Sequence, residues 1–223
     1  MAKQRRPITS FEVDILASDH HLGPEVLAHT NDGILMEYLG GRTLDEETVH
    51  QPNQHELLDR IATQLKRLHS LSPPKPETNM LWYSLNAMLE GSCRKELKEQ
   101  HQYHKSQISP LLQNTQCLGH GDFKGSNVIL CSNNDIRFID YELSGLQYRG
   151  FDVAKFFRTD LARNVENFQY FIQSYTKGDE QEAEALRLEA EVLEPLTVSK
   201  LPALLKSCWI INHLTLFFPY YSG

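Results

Sequence analysis

The stretch LGHGDFKGSNVILCSNNDIRFIDYE, residues 118–142, constrains this chain more than any other part of it. Its two apolar runs, VILC and IRFI, are separated by Ser132, Asn133, Asn134 and Asp135, residue types that favour turns because their side chains bond their own backbone. Residues 127–140 therefore predict a β-hairpin. A polar loop, HGDFKGSN, leads into the hairpin, and an acid, Asp140, leaves it. Asp122, Asn127 and Asp140 are then either ordinary turn residues or the corners of one metal–phosphate site.

The chemistry favours the second reading. Phosphoryl transfer from ATP needs a carboxylate that orients the acceptor hydroxyl and takes its proton, and oxygen ligands that hold magnesium against the phosphates. In protein kinases the catalytic Asp precedes a metal-binding Asn by five residues, and a later Asp holds the metal. Asp122 and Asn127 have that spacing, with Asp140 beyond the hairpin. His120 reads as a hydrogen-bonded residue that holds the loop. Asp152 either bonds the same loop or caps the helix that begins near Val153.

Hydrophobic periodicity places the rest. Residues 9–19 predict a short helix, and strands near 25–30 and 33–38 join through Asn31-Asp32-Gly33 and end at Gly40-Gly41. Leu57, Leu58, Ile61, Leu65, Leu68 and Leu71 fall at helical spacing, and SPPKP stops that helix. Residues 79 to about 105 predict a helix, as do 152–159, 162–176, 179–192 and 195–216. Strands first, then helices with one inserted hairpin, make an α+β arrangement.

Composition narrows the function. With 29 acidic against 22 basic residues the formal charge is −7, which disfavours nucleic acid and anionic membranes as partners and favours a small or cationic one. Cys93, Cys117, Cys131 and Cys208 form no C-x-x-C pair, so they read as reduced thiols of a cytoplasmic protein. The apolar run CWIINHLTLFFPYY has 14 residues, too short for a membrane span, and reads as a buried helix. His101 and His104 lie on a charged helix and read as a solvated face, as do His20, His21 and the acidic run from Glu180 to Glu191.

HGDFKGSN followed by IRFIDYE resembles the signature of the aminoglycoside phosphotransferase and choline/ethanolamine kinase superfamily. GILMEYLGGRTL is similar to that family's interlobe hinge, IATQLKRLHSL to the helix after it, and YELSGLQYRGFDVAKFF to the choline/ethanolamine branch. The resemblance implies a protein-kinase-like two-lobed fold, with residues 1–39 as the N-terminal lobe and hinge and 40–223 as a helical C-terminal lobe. It implies a transferase that uses ATP and Mg2+ to phosphorylate a small alcohol, choline or ethanolamine ahead of thiamine or an aminoglycoside. Asp122 would be the catalytic base, with His120 supporting it, and Asn127 and Asp140 the magnesium ligands. The backbone of Glu37, Tyr38 and Leu39 would meet adenine. Glu142, placed beside Asp140 in an extended segment, would balance a cationic head group. Trp209, Tyr148 and Phe151 could wall a quaternary ammonium or simply pack in the core.

The N-terminus departs from the family. No glycine precedes Gly23, so the phosphate-covering loop is missing and the N-terminal lobe reads as truncated. Lys3 is the expected phosphate-binding lysine, with Arg5 or Arg6 as alternatives and Glu12 as its partner on the next helix. The chain is then either a shortened product of a kinase gene or a module that binds nucleotide or choline without transfer.

Overall fold

A computed structural model of the chain describes residues 10–30, 32–90, 95–157 and 165–197. It begins with α1 (Ser10–Asp19), β1 (Val26–His29), β2 (Ile34–Met36) and β3 (Gly41–Thr43). The helices α2 (Glu46–His50), α3 (His55–His69), α4 (Met80–Glu90) and α5 (Lys95–Leu111) follow. Then come β4 (Gln116–Gly119), β5 (Val128–Cys131), β6 (Ile136–Phe138) and β7 (Gly145–Tyr148), and finally α6 (Arg149–Phe157), α7 (Val165–Thr176) and α8 (Glu180–Leu193).

The longest periodic signal makes the best-defined helix. Leu58, Ile61, Ala62, Leu65 and Leu68 line the buried face of α3, and Lys66, Arg67 and His69 stand in its last turn, where positive charge complements the helix dipole. That face packs on α7. The start of α8 is capped by Asp179, whose carboxylate accepts the Gln181 and Glu182 amides at 3.0 and 2.9 Å. Helix α6 is different: Gly150 through Phe157 are all buried, including Asp152 and Lys155, so it runs through the core. Its Phe156 and Phe157 join Phe123, Phe138 and Phe171 in ring contacts with centroids 4.9–5.4 Å apart.

The strands form small antiparallel groups. β1 pairs with β2, β3 with β5 and β5 with β6, and β4 with β7. The predicted hairpin at 127–140 forms, with Val128 opposite Phe138. Strand β3 occupies what reads in sequence as a breaker: Gly41 lies against the Leu130 carbonyl, a spacing that leaves no room for a Cβ. The sequence reading also leaves β4 and β7 unassigned, because QCLG and GLQY are each four residues long and show no period. Of the helix expected over 79 to about 105, the described residues form α4 (Met80–Glu90) and α5, which continues to Leu111. The helix expected over 195–216 lies outside the described residues beyond residue 197. Among the described residues no helix is long and apolar enough to cross a membrane.

Candidate active site

The loop from Gly119 to Asn127 leaves β4 and enters β5, and α6 holds it from beneath. Asp152 is fully buried. Its Oδ2 accepts the His120 amide at 2.6 Å and its Oδ1 the Gly121 amide at 2.8 Å. His69 Nε2–H donates to the same Oδ2 at 3.1 Å, and the Tyr175 hydroxyl donates to His69 Nδ1 at 2.8 Å. Burial alone would raise the Asp152 carboxyl, but the hydrogen bonds from the His69 ring and the His120 amide hold it below the usual carboxylate range. Of its two sequence readings, the structure selects the bond to the loop.

Gly121 bends the loop. Its φ of +79° lies in the left-handed region, and a Cβ there would overlap the Leu143 carbonyl. His120 is buried, with Nε2–H donating to the Ile139 carbonyl at 3.0 Å and Nδ1 facing the Asp122 amide at 3.4 Å. Burial keeps its imidazole neutral, below the ordinary histidine value. His120 thus ties the loop to the end of the β5–β6 hairpin. A second tie is the Ile139 amide, which donates to the Asn127 carbonyl at 3.0 Å and brings Asp140 beside Asn127.

The side chains gather around Asp122. Asn127 is buried, and its Nδ2 donates to the Asp122 carbonyl at 3.0 Å and to Oδ2 at 3.3 Å, which leaves its amide oxygen as the atom a cation would meet. Lys155 Nζ lies 2.7 Å from Asp122 Oδ1 and Lys124 Nζ 2.5 Å from Oδ2. Partial burial would raise the Asp122 carboxyl, yet hydrogen bonds from Lys124 and Lys155 hold it below its usual value. Asp140 is exposed at φ +67°, a left-handed conformation that a non-glycine residue adopts at a cost of about 1–3 kcal/mol. Such strain collects at functional sites.

The residues present fit magnesium. Asn127 and Asp140 offer hard oxygens, and on α1 the Asp14 carboxyl is pushed up to about 6 by burial and by the charge of Asp140. Among the described residues no three His, Cys, Asp or Glu side chains cluster as a metal site. Magnesium does not need three, since phosphates and waters complete its octahedron.

The choline/ethanolamine kinase family profile covers residues 8–215. The chain belongs to the choline/ethanolamine kinase family. Among its relatives, the probable choline kinase 1 of Arabidopsis thaliana is 28% identical over 71% of this chain and 48% of its own length. Human ethanolamine kinase 2 is 27% identical over 62% of this chain and 39% of its own. The chain thus spans half or less of the length of these curated relatives. The fold follows an ethanolamine kinase of Plasmodium vivax with a TM-score of 0.65 at 19% identity, over 93% of this chain and 69% of that one. A choline kinase of Cryptosporidium parvum gives 0.67 at 15% identity, over 98% and 77%. An aminoglycoside phosphotransferase of Streptomyces rimosus gives 0.55 at 18% identity, over 84% and 81%. The architecture is therefore the kinase-like α+β fold that the motifs imply.

Other expected site residues fall elsewhere or in different settings. Glu142 is exposed, but Tyr141–Leu143 is a tight 3-10 turn rather than an extended segment, because Asp140 turns left-handed before it. Tyr148 is fully buried, its hydroxyl accepting Trp82 Nε1–H at 2.9 Å and lying 3.2 Å from Ser109 Oγ, so it packs in the core with Phe151 instead of walling an open pocket. Tyr38 is 93% exposed, and the Glu37 carboxylate accepts the Glu25 amide at 2.9 Å, while Leu39 is half-buried. Glu12 pairs with Lys75 at 3.2 Å. Lys3 and Trp209 lie outside the described residues. His101 and His104 are buried, not solvated, and burial lowers both imidazoles. Sequence reasoning missed Lys124, Lys155 and Asp14. Lys155 stands three residues after Asp152 on one helix, so assigning Asp152 to the loop would have pointed to it.

Proposed function

We propose that this protein transfers the γ-phosphoryl group of ATP to the hydroxyl of a small, cationic alcohol, choline or ethanolamine, with thiamine or an aminoglycoside as the less favoured acceptors. The observation that carries this reading is the convergence of Asp122, Asn127 and Asp140 at one end of the β5–β6 hairpin, held by the Ile139–Asn127 backbone bond. The relatives' names support choline and ethanolamine as acceptors.

In this mechanism the acceptor oxygen attacks the γ-phosphorus while the bond to the bridging oxygen breaks. ADP leaves with that electron pair, and the hydroxyl proton passes to Asp122. Magnesium, held by Asn127 and Asp140, would neutralise phosphate charge. His120 and Asp152 keep the loop in register, and Glu142 attracts a cationic acceptor. The backbone of Glu37 to Leu39 takes adenine, Lys3 the phosphates, and Trp209 the acceptor's cationic group. The unpaired thiols Cys117 and Cys131 fit a reducing, cytoplasmic setting.

The test is ADP release measured with choline, ethanolamine, thiamine and an aminoglycoside. Asp122→Asn should lower turnover by about 10²–10⁴ while MgATP affinity stays nearly unchanged. Asp140→Ala should abolish the magnesium dependence of ATP binding in calorimetry. Parental turnover in Asp122→Asn overturns the role of the base. Tight nucleotide binding with no transfer to any acceptor would instead favour a module that binds without catalysis.

A further inference from the structure

The proposed chemistry accounts for Asp122 but not for the cation buried behind it. Lys155 lies on α6 with its side chain 8% exposed. Its ammonium stands 2.7 Å from Asp122 Oδ1, donates to the Gly121 carbonyl at 3.1 Å and lies 5.8 Å from the centre of the Phe151 ring. An ammonium so largely withdrawn from water must keep its partners, because losing one leaves a buried charge uncompensated. It is also delivered by a rigid element, since every residue of α6 from Gly150 to Phe157 is buried.

Asp152 and Lys155 are three apart on that helix and reach the same loop. Asp152 takes the amides of His120 and Gly121, and Lys155 takes the next carbonyl and the next carboxylate. The two oxygens of Asp122 are thereby made unequal. Oδ1 faces α6 and the core, whereas Oδ2 faces Asn127 Nδ2 and the loop residue Lys124, whose side chain is 24% exposed.

We propose that Lys155 is a positioning residue for phosphoryl transfer: it fixes the Asp122 carboxylate through Oδ1, so that Oδ2, on the Asn127 side, is the oxygen that meets the acceptor hydroxyl. This rests on the phosphotransfer reading above. Alignment of a reacting group within a few tenths of an ångström is what such anchoring supplies, and its loss is felt in turnover rather than in binding.

The experiment combines a double-mutant cycle with a readout that needs no turnover. Lys155→Met keeps the length of the side chain and removes its charge. It should lower kcat by about 10²-fold while the KM for ATP changes less than about threefold, and Lys155→Arg should recover about tenfold of that loss. If Lys155 acts through Asp122, Lys155→Met costs nothing further in an Asp122→Asn background. Independently, in lysine-labelled protein the Lys155 ammonium should give a slowly exchanging proton–nitrogen signal that disappears in Asp122→Asn.

The possible failures separate. Parental turnover in Asp122→Asn sinks the phosphotransfer role of Asp122, and Lys155 with it. Slow Asp122→Asn beside parental kcat in Lys155→Met, or losses that multiply in the double variant, overturns the Lys155 proposal alone. Should the chain transfer phosphate to no acceptor tried, the ammonium signal decides: protected and Asp122-dependent supports the anchor, and its absence overturns it.

Discussion

The loop at Gly119–Asn127 and the hairpin of β1 and β2 are both short and polar at their turns, but they are held in opposite ways. Besides its internal bonds from Lys124 and Asn127 to Asp122, the loop is tied to other elements: Asp152 and Lys155 on α6, Ile139 at the end of β6, and Ser144, whose hydroxyl donates to the His120 carbonyl at 2.8 Å. The hairpin is held by its own ladder and by two contacts near its base, the Val26 amide on Ser18 Oγ at 2.9 Å and the Glu25 amide on the Glu37 carboxylate. Leu27 and Leu35, opposite-strand residues, are 57% and 60% exposed. A region whose polar groups are satisfied by the core can open only with the core, whereas a two-stranded ribbon can open alone. That difference suits a kinase fold, in which catalytic groups must stay fixed while nucleotide enters beside them.

The largest expected effect lies in the loop's anchor. Asp152→Ala leaves the His120 and Gly121 amides and His69 without their buried acceptor, and should destabilise the fold by about 3–5 kcal/mol in denaturant unfolding. A loss under about 1 kcal/mol would erase the distinction between loop and hairpin. Next is Gly121→Ala, which adds a Cβ against the Leu143 carbonyl at a left-handed position and should cost about 2 kcal/mol by the same measurement.

Acid should act on the same side of the comparison. Burial lowers His101, His104 and His120, so between their folded values and the ordinary value near 6.5 the unfolded chain binds more protons, and stability falls as pH drops through that window. Asp14 opposes this: with its carboxyl raised to about 6, the folded state gains a proton from there down towards 3.8. Unfolding midpoints at pH 8 and pH 5 should show the net loss, larger once Asp14→Asn removes the opposing group. A midpoint that rises on acidification would contradict the burial of the three histidines.

The smallest effects belong to the hairpin. Leu35→Ser and Tyr38→Ala should each change stability by less than about 0.5 kcal/mol, because both side chains are already in water. In hydrogen exchange the Ala28 and Leu35 amides should open at far lower free energy than those of His120 and Gly121. Equal protection would mean that the two regions unfold as one.

Much of this site could be read before any fold was known. The spacing of Asp122 and Asn127, the turn at Ser132–Asp135 and the acid after the second apolar run are local patterns, and each was formed by residues within one supersecondary unit. The α3 stripe was legible because a helix repeats its buried positions over 15 residues. Tyr148 was harder, since an aromatic next to a motif looks the same whether it walls a pocket or fills a core.

What the sequence determined by itself, then, was the hairpin, the buried stripe of α3 and the polar residues of the loop between β4 and β5, because hydrophobic period and turn chemistry act over a few neighbouring residues. Only the tertiary structure decided that β4 pairs with β7, with Gln116 opposite Tyr148, that Asp152 faces the loop, and that Lys155 stands behind Asp122. Those contacts join residues far apart in the chain, and no local pattern encodes them. The contacts of Asp152 and Lys155 exist because α6 is buried from Gly150 to Phe157, so its charged groups must find partners wherever the packed core brings them.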